Sequence, residues 1–127
     1  MCIVAHGIDV VDVERFSKLI DKGGDEFLKR CFVKAEILEA SYNTNERLSA
    51  WFAVKEAVLK AIGTGFSEGA SFVDIEVIHN DAGAPSVALV GKTKEIADSM
   101  GITKWFVSLS HIGKVAVASV IGSNGEH

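Results

Sequence analysis

The sequence predicts an α+β fold in a single domain, with a long central helix against an antiparallel sheet. Three observations lead there. The chain has 127 residues, 48% of them hydrophobic and 24% charged; that is enough for one core and too little for two domains of ordinary size. The apolar pattern switches between a helical period and a period of two, without the regular alternation that marks a parallel sheet. Two pairs of strand-like segments are each joined by a few turn residues, which is the spacing of hairpins.

Each element has its own local reason. Cys2 to Ile8 reads as a short buried strand. Asp12 to Lys22 reads as an amphipathic helix. At about 100° per residue, Val13, Phe16, Leu19 and Ile20 share one side, with Arg15, Lys18 and Lys22 opposite. Gly23-Gly24 ends it, because glycine tolerates a left-handed turn. Asp25 caps a further helical segment, Glu26 to Phe32. Lys34 to Tyr42 is a short helix, and Asn43-Thr44-Asn45 is a turn and cap. The strongest helix runs from Glu46 to Ile62 and is closed by Gly63-Thr64-Gly65. Phe72 to Ile78 and Ser86 to Val90 form a hairpin around Asn80 to Pro85. Lys92 to Met100 is a helix stopped by Gly101. Lys104 to Ser110 and Lys114 to Ile121 make a second hairpin around His111-Ile112-Gly113. The domain is expected to span residues 1–122, leaving 123–127 as a disordered polar tail.

Composition removes several function classes. The net charge is −4, from 13 basic and 17 acidic residues, which argues against nucleic-acid binding. No apolar run approaches the roughly 20 residues of a membrane helix. The N-terminal segment lacks the basic flank and cleavage site of a secretory signal. Cys2 and Cys31 are too few for a disulfide framework or a zinc site. The expectation is a cytoplasmic protein with reduced thiols and no membrane partner.

Three places carry chemistry. In the long helix, Lys55 projects into an apolar stripe made by Leu48, Trp51, Phe52, Leu59 and Ile62, with Glu56 at its border and Lys60 one turn on. A buried lysine is costly unless an anion meets it. On pattern alone the preferred account is a snorkelling Lys55 beside a Glu56–Lys60 surface pair. Asp9 follows an apolar run and competes with Asp12 for the helix cap, which leaves it less explained. One Asp and one Glu on different elements are a weak metal signal, although magnesium often takes only one or two carboxylates and completes its shell with water and phosphate. Ser108-Leu109-Ser110-His111 sits at a hairpin tip, and no Ser–His–Asp set can be assembled around it.

Together these segments resemble one family. Gly7-Ile8-Asp9-Val10-Val11-Asp12-Val13-Glu14-Arg15-Phe16 is similar to the N-terminal motif of holo-acyl-carrier-protein synthases. Phe52-Ala53-Val54-Lys55-Glu56-Ala57-Val58-Leu59-Lys60 through Gly65 is similar to their central helix motif. Phe72 to Val77 with Asp81-Ala82-Gly83-Ala84-Pro85, and Val107 to His111, match the remaining segments in order.

The resemblance implies a 4′-phosphopantetheinyl transferase of fatty acid and lipid metabolism. Such an enzyme moves phosphopantetheine from coenzyme A to a serine of apo acyl carrier protein and releases adenosine 3′,5′-bisphosphate. It implies Mg2+ held by Asp9 and Glu56, which in a homotrimer can come from different chains. It implies catalytic roles for Glu56 and Lys60. Lys60, Gly63, Gly65, Pro85 and His111 would contact coenzyme A. Arg15 matches the motif as a contact for the acidic carrier, and helical spacing adds Lys18 and Lys22. Glu56, a metal-bound water and a neutralised lysine are each candidates for the base. The family's arginine before Phe52 is replaced here by Trp51, so the contact to the 3′-phosphate falls to His111 or a lysine. A thioesterase-like enzyme and a non-catalytic coenzyme A or carrier-binding module stand as alternatives.

Overall fold

A computed structural model describes residues 1–40, 44–63 and 68–125. The elements run β1 (Ile3–Asp12), α1 (Val13–Cys31), α2 (Lys34–Glu39), α3 (Thr44–Ile62), a 3₁₀ turn (Phe72–Asp74), β2 (Ile75–His79), β3 (Pro85–Leu89), α4 (Gly91–Ser99), β4 (Lys104–Ile112) and β5 (Val115–Ser123). A three-stranded antiparallel sheet has the order β1-β5-β4, and β2 and β3 pair separately as a hairpin.

The period of two in β1 divides its residues between the faces of the sheet. Ala5, Gly7, Asp9 and Val11 face α3, while Ile8 and Val10 face outward and are 54% and 63% exposed. Gly7 sets the distance between the layers. A Cβ at this position would lie 1.9 Å from the carbonyl oxygen of Ala57, so only glycine lets the α3 backbone rest on the strand. Asp9 and the helix are thereby held against each other.

The helix α3 is buried on nearly every side rather than along one stripe. Ser49, Ala53, Val54, Lys55, Ala57 and Val58 are as enclosed as Leu48, Trp51, Leu59 and Ile62. The expected stripe underestimated this, because α3 is covered by the sheet on one side and by α1, α2 and β2 on others. Phe16 of α1 packs on Phe52 at a ring-centroid distance of 5.1 Å, and Phe52 packs on Phe72 at 4.9 Å.

The two helical segments expected around Gly23-Gly24 are continuous apart from a break at Gly24, whose φ of 58° and ψ of −146° are not helical. Asp12 caps α1 by accepting from the Arg15 amide at 3.0 Å. Leu19 is not in the core. It is 49% exposed, at the edge of the arc carrying Arg15, Lys18 and Lys22.

Several boundaries differ from expectation. The first strand, expected to end at Ile8, runs on to Asp12 because β5 pairs with it along that length, and the long helix begins at Thr44 rather than Glu46. The strand expected from Phe72 begins at Ile75, because the preceding turn serves α4 instead. The Asp74 carboxylate accepts from the Thr93 amide and hydroxyl, and its carbonyl accepts from the Val90 amide. His111 is not in the turn of the second hairpin. The ladder continues through His111–Ala116 and Ile112–Val115, and Gly113, at φ 55°, takes the turn. The tail starts later than residue 123. Ser123 is fully buried and pairs with both Ile3 and Lys104, and Asn124 exchanges hydrogen bonds with Cys2. Tyr42, Asn43, Thr64 and Gly65 lie outside the described residues, as do 126 and 127. Among the described residues no helix is long and apolar enough to cross a membrane.

Candidate active site

Asp9, Glu56 and Lys60 converge within one chain. The Lys60 ammonium donates to Asp9 Oδ1 at 2.8 Å and to the Ile8 carbonyl at 3.2 Å. Glu56, one turn earlier on α3, is half-buried, and its carboxyl is held above the ordinary carboxylate value. Burial is the main cause and the Asp9 charge adds to it, with Lys60 opposing. The hydrogen bond and charge of Asp9, with the charge of Glu56, push Lys60 upward despite a small loss of hydration. Two acids against one ammonium leave surplus negative charge. The expected Glu56–Lys60 pair at i, i+4 gives way to the Lys60–Asp9 bridge, because the close approach at Gly7 brings a strand carboxylate within reach. Asp9 and Glu56 do not need two chains to meet.

The donor set suits a hard cation. Both acids offer oxygen, and no third His, Cys, Asp or Glu joins them in a metal-ligating group among the described residues. Magnesium accepts such an incomplete set because it retains water and takes substrate phosphate.

Lys55 belongs to a different cluster. Its ammonium is fully buried and donates to Glu36 Oε1 at 2.7 Å and to the carbonyls of Phe72 and Ile75 at 3.1 and 2.6 Å. Glu36, 1% exposed, also accepts from the amides of Val33 and Val77. Burial lowers the Lys55 pKa, with Glu36 opposing. This lysine is a clamp between α2, α3 and β2, neither snorkelling nor catalytic.

The other sequence-predicted residues divide. Gly63 follows Lys60 at the end of α3, at φ 75°. Its amide already donates to the Leu59 carbonyl, so it offers space rather than a donor. Gly65 lies outside the described residues. Arg15, Lys18 and Lys22 form an exposed arc, and none is in an ion pair among the described residues.

His111 and Pro85 are on the opposite flank of α3 from the acids. Along a helix, Trp51 and Lys60 point about 180° apart. Trp51 lines a groove of about 260 Å³ with Arg47, His79, Leu109, His111 and Glu39. Pro85 pairs with His79 at its edge. Arg47 and His79 were not singled out from sequence; the available signal was that Arg47 precedes Trp51 by four residues. A larger groove of about 790 Å³ lies between α1 and α2, around Leu28, Phe32, Ile37 and Leu38, and contains none of the predicted site residues.

Residues 5–118 match the model of the 4′-phosphopantetheinyl transferase superfamily. The chain is 41% identical over 121 residues to a holo-acyl-carrier-protein synthase of Koribacter versatilis, covering 94% of this chain and 97% of that one. It is 37% identical over 121 residues to that of Geobacter sulfurreducens, covering 94% and 96%. Among solved structures it is similar to the enzyme of Neisseria meningitidis, with a TM-score of 0.88, 29% identity and coverage of 97% and 100%. It is also similar to that of Helicobacter pylori in complex with coenzyme A, with a TM-score of 0.83, 31% identity and coverage of 93% and 99%.

Proposed function

The chain belongs to the holo-acyl-carrier-protein synthases of the 4′-phosphopantetheinyl transferase superfamily, and from that premise we propose how its residues perform the transfer. The donor is coenzyme A and the acceptor is a serine of apo acyl carrier protein. The serine oxygen attacks the phosphorus bearing pantetheine, the bridging P–O bond breaks, and adenosine 3′,5′-bisphosphate leaves. The observation that carries this reading is the convergence of Asp9, Glu56 and Lys60 at the β1–α3 contact.

Asp9 and Glu56 would hold Mg2+, which supplies charge neutralisation for the diphosphate. Lys60 keeps its proton beside Asp9 and meets the phosphate oxygens as a cation, which is where charge grows in such reactions. A neutralised lysine is a poor base here, since Lys55 is sealed in its clamp and Lys60 is held charged. Glu56, half-buried and flanked by Asp9, takes the serine proton directly or through water.

The acids and the His111 groove lie on opposite flanks of α3, so one donor molecule that touches both takes them from two copies of the chain. The outer sheet face supports a homotrimer. Ile8, Val10, Phe106 and Ile112 are exposed there, and such a face favours self-association. The acidic carrier docks on Arg15, Lys18 and Lys22, with exposed Leu19 adding apolar contact.

The test is to incubate the protein with apo carrier, coenzyme A and Mg2+ and weigh the carrier. A gain of one phosphopantetheine that disappears with chelator is expected. Thioester hydrolysis without metal, or an unchanged carrier, would overturn the assignment.

A further inference from the structure

The Lys60 ammonium stands on a carboxylate that a divalent cation would have to share. It donates to Asp9 Oδ1 at 2.8 Å and to the Ile8 carbonyl at 3.2 Å. The two ends of this bridge differ in freedom. Asp9 is 11% exposed, on a strand that Gly7 brings into backbone contact with α3, so its carboxylate is fixed in place. Lys60 is 56% exposed, and its flexible four-carbon stem lets the ammonium swing outward without disturbing the core. Glu56 lies one helical turn away and feels both charges.

Charge counting gives the consequence. Asp9 and Glu56 bring two negative charges, and Lys60 cancels one of them. A dication held by the acids alone meets an ammonium on the same carboxylate, and the two cations repel in a partly buried setting. A diphosphate reverses the balance, because its oxygens accept from the ammonium while they also face the cation. Lys60 therefore opposes the cation in the free enzyme and cooperates with it in the donor complex.

We propose that Lys60 couples the binding of metal and donor: its charge keeps a divalent cation weakly held at Asp9 and Glu56 until a diphosphate draws the ammonium off Asp9. The inference rests on the function proposed above, and it adds an order of assembly to it. A metal-loaded cluster with no diphosphate to act on is penalised. By linkage, the factor by which the donor tightens the metal equals the factor by which the metal tightens the donor.

The experiment uses Mn2+ as the probe, since it takes the same oxygen ligands as magnesium. Its free concentration is read by electron paramagnetic resonance, without carrier, so occupancy is measured rather than turnover. Parent, Lys60→Met and Lys60→Arg are titrated alone and with saturating coenzyme A, after subtraction of Mn2+ bound by coenzyme A in solution. Alone, Lys60→Met binds Mn2+ about tenfold more tightly than the parent, within the usual range of coupling between sites, and Lys60→Arg, which keeps the charge, stays at the parent value. The factor by which coenzyme A tightens Mn2+ is about tenfold smaller in Lys60→Met. A Lys60→Met protein with the parent's Mn2+ affinity, or one tightened equally with and without coenzyme A, overturns the coupling. A parent protein that, with coenzyme A, takes up no more Mn2+ than Asp9→Ala overturns the metal assignment itself.

Discussion

Lys55 and Lys60 lie five residues apart on the same helix and do opposite work. Lys55 is fully buried, with its donors taken by Glu36 and two carbonyls, and Glu36 is likewise occupied by two amides. Lys60 is 56% exposed, bridges Asp9, and leaves Glu56 as surplus negative charge. A closed cluster has nothing left to bind and serves as architecture. An open cluster with an excess acid has unfinished electrostatics, which a cation and phosphates would complete. Burial and satisfaction, rather than residue type, separate structural from chemical charge in this helix.

The sharpest way to break this contrast is to remove acids from the open cluster. Asp9→Ala and Glu56→Ala should each lower Mg2+-dependent carrier modification by about a thousandfold or more, the scale of losing transition-state charge stabilisation. Their unfolding midpoints should move little, since the lysine end of the Lys60–Asp9 bridge is 56% exposed and a solvent-screened pair contributes about 0–1 kcal/mol. Full activity in either variant would remove the ligand assignment. The closed cluster should behave in reverse. Lys55→Met strands Glu36 in the core and should cost about 3–5 kcal/mol of stability, read by denaturant unfolding. Lys55→Met with Glu36→Gln should regain part of it.

Subunit mixing tests whether the two flanks of α3 serve one site. Asp9→Ala and His111→Ala proteins should each be impaired alone. After subunits exchange, about a quarter of the sites in a head-to-tail ring draw both intact halves, and activity should return in proportion. No recovery would place both halves in one chain. The smallest effect is at the surface. Arg15→Glu should raise the KM for the carrier about tenfold at low salt, a gap that narrows as ionic strength rises. The KM for coenzyme A should not move; equal changes in both would remove the docking assignment.

Much of the fold could be read locally. The hairpins, the Gly24 break and the long helix follow from turn residues and apolar periods, which depend only on neighbours in the chain. The first strand was expected to stop at Ile8; its pairing with β5 carries it on to Asp12 and puts Asp9 on the same face as Gly7. The misread boundaries were places where pairing extends or stops differently from what the turn residues suggest. Asp74 is drawn to α4, His111 to Ala116, and Ser123 to two flanking strands. Leu19 looked like core because its position on the helix wheel is ambiguous, and only the placement of α1 on α3 decided its exposure.

By itself the sequence determined the element types and, through the family that its motifs resemble, the Asp9, Glu56 and Lys60 positions that point to phosphoryl chemistry. Only the tertiary structure decided which charges meet. Lys60 chose Asp9, 51 residues away, over Glu56 at four. Lys55 found Glu36, and Arg47 joined two strand histidines around Trp51. Periodicity says which way a side chain points, but the distance between two elements is set by what lies between them. Here that is Gly7, whose missing Cβ lets α3 settle onto the sheet.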